Sequence, residues 1–147
     1  MPFLVLTDLD TAECPPALLQ EWLPYPKNPN LLFRVAEREV EAWLLAHREA
    51  FARFLGIEPR LVPLEVDKLN DPKKVLLMLA AKSKKRQLRE AIVPALASTA
   101  RVGPDYNGQL IFFVETSWEV RRAMENSPSL RRAVKALMNF HPQWGKK

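Results

Sequence analysis

The stretch Phe3-Leu4-Val5-Leu6-Thr7 constrains the fold more than any other feature of this chain. It is a short, unbroken apolar run rich in strand formers, and it stops at Asp8-Leu9-Asp10. A run of this kind reads as a buried strand of a parallel sheet, because such strands are covered on both faces and do not alternate. Pro15 and Pro16 suit the first turn of a helix reaching about Trp22. A loop of prolines and asparagines follows, and Leu31-Leu32-Phe33-Arg34-Val35-Ala36 supplies a second strand. Two strands joined by a helix prefer a right-handed parallel crossover. The start of the chain therefore predicts an α/β unit with its ligand site beyond the carboxyl ends of the strands.

The rest reads as mostly helical. A long helix is expected from Glu37 to about Leu55, with Val40, Trp43, Leu44, Phe51, Phe54 and Leu55 as its apolar stripe and Gly56 as its stop. A brief strand is expected at Val62–Val66. Asp71-Pro72 reads as an N-cap and first turn of a helix running to Arg89. Residues 88–100 suggest a further helix, bent or broken near Pro94. Leu110–Val114 fits either a strand or a buried helix. Short helices are expected over Trp118–Glu125 and from Ser127-Pro128 to about Phe140. The expected fold is a short parallel α/β sheet followed by a mostly helical half, all within one domain over 1–147.

Composition narrows the function. With 48% hydrophobic and 27% charged residues, the chain has enough apolar surface to fold, unlike a disordered polymer. The longest apolar run, Val75 to Ala81, is far short of the roughly 20 residues of a membrane span. The start of the chain shows no basic leader. Cys14 is the only cysteine, so no internal disulfide or cysteine-rich zinc site is possible, and a cytoplasmic location is expected. Residues 1–71 form an acidic part and 72–147 a basic one. Residues 1–72 carry seven Lys or Arg and twelve Asp or Glu, a net of −5, and residues 73–147 carry fifteen and five, a net of +10. An acidic part suits a divalent cation and a basic part suits phosphates, although solvated helix faces give the same imbalance.

The candidate residues follow from this division. Asp8 and Asp10 lie on one side of an extended chain at a sheet edge, where two hard oxygen ligands suit Mg²⁺, or Mn²⁺ in its place. Such a metal activates water at a phosphorus centre. The competing reading makes one Asp a helix cap. Glu37, Glu39 and Glu41 follow the second strand. Glu41 lies beside the apolar stripe and needs a partner, either a metal or an arginine such as Arg34. Lys82, Lys84, Lys85, Arg86 and Arg89 are the densest positive run, suited to a DNA or RNA backbone, and lack the interleaved aromatics of a base-stacking surface. Trp22, Trp43 and Trp118 read as core or anchor residues, Trp144 as loosely held, and Cys14 as a small buried residue. His141 is expected at the surface, and Ser117, Ser127 and Ser129 as helix caps.

Three segments carry a family resemblance: Phe3 to Cys14, Phe33 to Ala46, and Val102-Gly103-Pro104-Asp105-Tyr106-Asn107 with Phe113-Val114 and Ser127-Pro128-Ser129-Leu130. Together they resemble a group of uncharacterised bacterial Toprim-like proteins, over most of the chain from Phe3 to about Phe140. The resemblance implies the α/β Toprim fold of topoisomerases, primases and overcoming-lysogenization-defect nucleases, in which a leading Glu and a later Asp-x-Asp hold Mg²⁺. It matches Asp8 and Asp10 to the Asp-x-Asp, and Arg34, Glu39, Glu41 and Trp43 to the group's Arg, paired Glu and Trp. It also makes Leu110–Val114 a helix and implies a bacterial defence setting with an ATPase partner. Two features depart from it. The strand with the leading Glu should precede Phe3, and His47 stands where the group commonly has Asp. Both weaken the case for a working nuclease, and the first leaves a sheet edge for another chain, or another copy, to cover.

Two functions are thus expected. One is a metal-dependent nuclease, or a degraded relative of one, with Asp8, Asp10 and Glu41 as catalytic residues and Asp8, Asp10, Glu39 and Glu41 as metal ligands. The other is a non-catalytic nucleic-acid-binding or scaffold module that works with an ATPase. A haloacid-dehalogenase-type phosphotransferase ranks last, because Thr11-Ala12 replaces the Gly-Thr of that family and no Gly-Asp pair occurs downstream.

Overall fold

The computed structural model describes residues 1–9, 14–23, 25–36 and 38–143. Its order is β1 (Phe3–Asp8), α1 (Pro15–Trp22), β2 (Leu31–Ala36), α2 (Val40–Leu45) and α3 (Arg48–Leu55), then α4 (Pro72–Ala81), α5 (Arg86–Ile92), α6 (Tyr106–Thr116), α7 (Val120–Asn126) and α8 (Pro128–Met138). Strands β1 and β2 pair in parallel, with Phe3 opposite Leu31 and Asp8 opposite Ala36. The chain is an α/β fold with a helical C-terminal half. Among the described residues, no helix is long and apolar enough to cross a membrane.

The two strands are not equally covered. In β2, Leu32, Phe33 and Ala36 are buried. In β1, Phe3, Leu4 and Leu6 are 54%, 56% and 47% exposed, so β1 is an uncovered edge and not the buried strand expected from its composition. Strand alternation sends Leu4, Leu6 and Arg34 to one face, where they line a groove with Trp43, Trp118 and Leu137. Phe33 faces the other side and meets Trp22 edge-on at 6.0 Å.

The main core lies among the helices. Phe51, Leu45, Leu55, Leu76, Ile92 and Phe113 are fully buried. Phe51, Phe54 and Phe113 pack with ring centroids 5.0 to 6.2 Å apart. Cys14 is half-buried, and His141 is exposed as expected. Trp144 lies outside the described residues.

Three expected elements are interrupted, two by tertiary partners and the third at Pro94, where a break was expected. The helix over 37–55 breaks after Leu45, and His47 leaves helical geometry with ψ 69°. The carbonyls released there accept side-chain donors, Trp118 Nε1 on Trp43 O and Asn126 Nδ2 on Ala46 O. These bonds replace the lost turn. The helix over 72–89 breaks at Ser83, whose hydroxyl donates to Leu55 O and accepts from Lys85 N. The stretch over 88–100 stays helical only to Ile92, because Pro94 holds Val93 extended, with ψ 133°.

No strand forms at 62–66. Val62 follows one short 3-10 turn and Val66 begins a second, both are buried, and Arg48 donates to the carbonyls of Val62 and Pro59. Leu110–Val114 lies within α6. Gly56 ends α3 at φ 69°, the left-handed conformation that a glycine takes without strain. At Gly103 a Cβ would fall on the Ala91 carbonyl, so the close approach of this loop to α5 requires glycine.

Candidate functional site

The parallel pairing brings the end of β1 beside the start of α2. Leu9 N donates to Ala36 O at 3.0 Å, extending the ladder past Asp8. Asp8 Oδ1 then accepts the N–H of Val40, the first residue of α2, at 2.9 Å. Asp8 thus caps a helix supplied by a distant part of the chain, satisfying one of the donors that a helix start leaves open.

The next acids do similar work. Glu39 Oε2 accepts Lys73 N at 2.8 Å, in the first turn of α4, and Asp71 Oδ1 accepts Lys74 N at 2.7 Å as the N-cap of the same helix. Both carboxylates face the positive end of the α4 dipole. Burial raises the Glu39 carboxyl above its ordinary value, and the nearby charges of Glu41 and Asp71 push the same way, against the Lys73 N–H.

Glu41 is the buried acid, 5% exposed. Its Oε1 accepts the Tyr106 hydroxyl at 2.8 Å and stands 3.5 Å from the Lys73 ammonium. Its Oε2 is buried with no hydrogen-bond partner. Burial and the adjacent Glu41 charge push the Tyr106 hydroxyl far above its usual value, so it stays a phenol that donates. Arg34, the arginine weighed as one possible partner, is not the one Glu41 has. Arg34 lines the groove beneath β1, and its Nε is buried without a partner.

The structure therefore gathers Glu39, Glu41, Lys73 and Tyr106 at the junction of α2, α4 and α6, with Asp8 on the first turn of α2. Asp10 and Glu37 lie outside the described residues. Among the described residues, no three His, Cys, Asp or Glu side chains form a group able to hold a metal. Asp8, Glu39, Glu41 and Asp71 each already accept from a protein donor, and the Lys73 ammonium beside Glu41 would repel a divalent ion there. The fourth expected ligand, Asp10, is not among them, so the expected Mg²⁺ or Mn²⁺ site is not assembled among the described residues.

His47 is buried, and its Nδ1 accepts the N–H of Glu119 at 3.0 Å. Burial lowers the imidazole below 6.5, opposed by the charges of Glu119 and Glu49 and reinforced by Arg122 and Arg53. It is a neutral acceptor that positions the start of α7.

The basic run divides. Lys85 Nζ donates to the carbonyls of Arg53 and Phe54 at the end of α3, and Arg89 donates to Ser83 O. Arg86 pairs with Glu90 at 2.7 Å. Lys82 and Lys84 are exposed.

A second polar cluster has no counterpart in the sequence reading. Asp67 accepts from the hydroxyls of Ser127 and Ser129 at 2.8 and 3.0 Å and from Ser129 N at 2.8 Å, while Trp43 Nε1 donates to Ser129 Oγ at 2.8 Å. Ser127 also accepts Leu130 N as the expected N-cap of α8. Ser117, in contrast, sits at the C-cap of α6. No local pattern announced Tyr106, Lys73 or Asp67 as partners, because each pairing links residues more than 30 positions apart. The one usable signal was Glu41 itself, an acid on an apolar stripe that must find donors. No family model matches the chain, and no curated protein or solved structure is significantly similar to it.

Proposed function

We propose that this chain is a non-catalytic nucleic-acid-binding or scaffold module of the Toprim-like kind, whose acidic strand ends serve the fold. The observation that carries this reading is the engagement of the acids. Asp8 and Glu39 cap helices, and Glu41 is held by Tyr106 and Lys73. The chemistry left for a partner is the positive charge of residues 73–147, where Lys82, Lys84, Arg121 and Lys135 are exposed. Phosphate contacts need only charge and reach. A partner ATPase rests on the family resemblance alone.

A fluorescence-anisotropy titration with labelled DNA and RNA tests the proposal. Binding should weaken steeply with salt and survive Asp8→Asn combined with Asp10→Asn. It should lose about one unit of salt slope for each of Lys82 and Lys84 changed to Ala. Loss of binding in the double Asn variant, with its fold intact, would overturn it.

A second reading, metal-dependent phosphodiester hydrolysis, draws on the buried, unpartnered Glu41 Oε2. Cleavage of either nucleic acid that requires Mg²⁺ or Mn²⁺ and disappears in the double Asn variant would establish it.

A further inference from the structure

Among the described residues, nothing pairs with the outer edge of β1. Phe3 N donates to Asn30 O at 2.7 Å and Leu9 N to Ala36 O at 3.0 Å, so the odd-numbered residues face β2. Residues along a parallel strand alternate between facing the neighbour and facing away. Leu4 and Leu6 therefore turn their N–H and C=O groups outward. Natural edge strands are usually guarded by a lysine, a proline or a bulge. Within β1 the one charged residue is Asp8 at its end, and Pro2 stands just before the strand, so Leu4 and Leu6 at its centre carry no such guard. A sheet of two strands is also marginal by itself, and three or more are needed for independent stability.

We propose that β1 pairs with β1 of a second copy of this chain, antiparallel across a two-fold axis, to give a continuous four-stranded sheet. Any strand added at this edge must be apolar on both faces. One side of the edge presents Leu4, Leu6 and Leu137, around a groove of about 200 Å³, and the other presents Phe3. β1 itself meets that requirement, with Phe3 and Val5 on one face and Leu4 and Leu6 on the other. A two-fold pairing centred on Val5 sets Leu4 against the partner copy's Leu6 and Leu6 against its Leu4, so the same patch completes itself.

The area is adequate for a weak dimer. The half-exposed side chains of Phe3, Leu4, Leu6 and Leu137 offer on the order of 350 Å² of apolar surface per copy. With the strand backbone and its rim, two copies bury on the order of 1,000 Å², the lower limit for a specific interface. The association should therefore depend on concentration within the micromolar range.

Sedimentation velocity on the whole chain, from about 1 to 500 μM, decides the matter. The expected result is a monomer that converts to a dimer as concentration rises. Leu6→Lys should abolish the dimer and leave helical circular dichroism unchanged, because the Leu6 side chain is half exposed and its N–H does not serve β2. Should that variant lose its helical signal, Leu4→Lys supplies the same comparison. A wild-type chain that stays monomeric throughout would overturn the proposal, including the case in which the edge serves a strand of another protein. A dimer that persists in a folded lysine variant would overturn it as well.

Discussion

Replacing Tyr106 by Phe removes one oxygen from a buried site and leaves the ring in place. In the wild type that oxygen donates at 2.8 Å to Glu41 Oε1, on a carboxylate whose other oxygen has no partner. Without it, the buried charge keeps only the Lys73 ammonium, 3.5 Å away. A hydrogen bond to a charged group contributes about 1.5–3 kcal/mol. Tyr106→Phe should therefore cost about 2 kcal/mol, or a melting temperature lower by about 4–8 °C for a chain of this size. The cost belongs to the pair, so the assay is a double-mutant cycle with Glu41→Gln, read by urea unfolding at pH 7. In the Gln background the Tyr106→Phe penalty should fall below about 1 kcal/mol, giving a coupling of about 1–2 kcal/mol. Additivity within about 0.3 kcal/mol would refute the reasoning and show that Tyr106 does not hold the acid.

Two further outcomes follow from single buried groups. His47 binds protons less readily when folded than when unfolded, so it stabilises the fold above pH 6.5, and that contribution is lost as pH falls through 6.5 toward the lowered folded value. Its protonated ring cannot accept the Glu119 N–H, so His47→Asn should flatten the stability profile between about pH 7 and pH 5 in unfolding titrations, and an unchanged slope would remove His47 as the cause. Arg34 buries an Nε without a partner, so Arg34→Met should leave stability unchanged or raise it by up to about 1 kcal/mol, measured by the urea midpoint of dilute protein. A loss larger than about 1 kcal/mol would mean that the guanidinium is engaged.

The outline of the fold was legible because its signals are local. Short unbroken apolar runs set β1 and β2, Pro15 started α1, Asp71 capped α4, and Gly56 closed α3. The elements that differ are those shaped by distant groups. The break between α2 and α3 depends on Trp118 and Asn126, and the break after α4 on Leu55. Composition misread the burial of β1, since an apolar strand looks the same in a sheet centre and at an open edge.

The site was half legible. Glu41 was marked as needing a partner, and Asp8 as either a ligand or a cap. Identifying Tyr106 and Lys73 as the partners required the helices to be packed. The charge run at 82–89 overstated what is available to a ligand, because Lys85 and Arg89 are drawn onto backbone carbonyls.

Whether the acidic strand ends serve the fold or a metal is decided most directly by titrating Mn²⁺ into the whole chain and following its free-ion electron paramagnetic resonance signal. The expected result is a signal that the protein leaves unchanged at micromolar Mn²⁺. Capture of one Mn²⁺ per chain, lost in Asp8→Asn, would contradict the structural role assigned to these carboxylates.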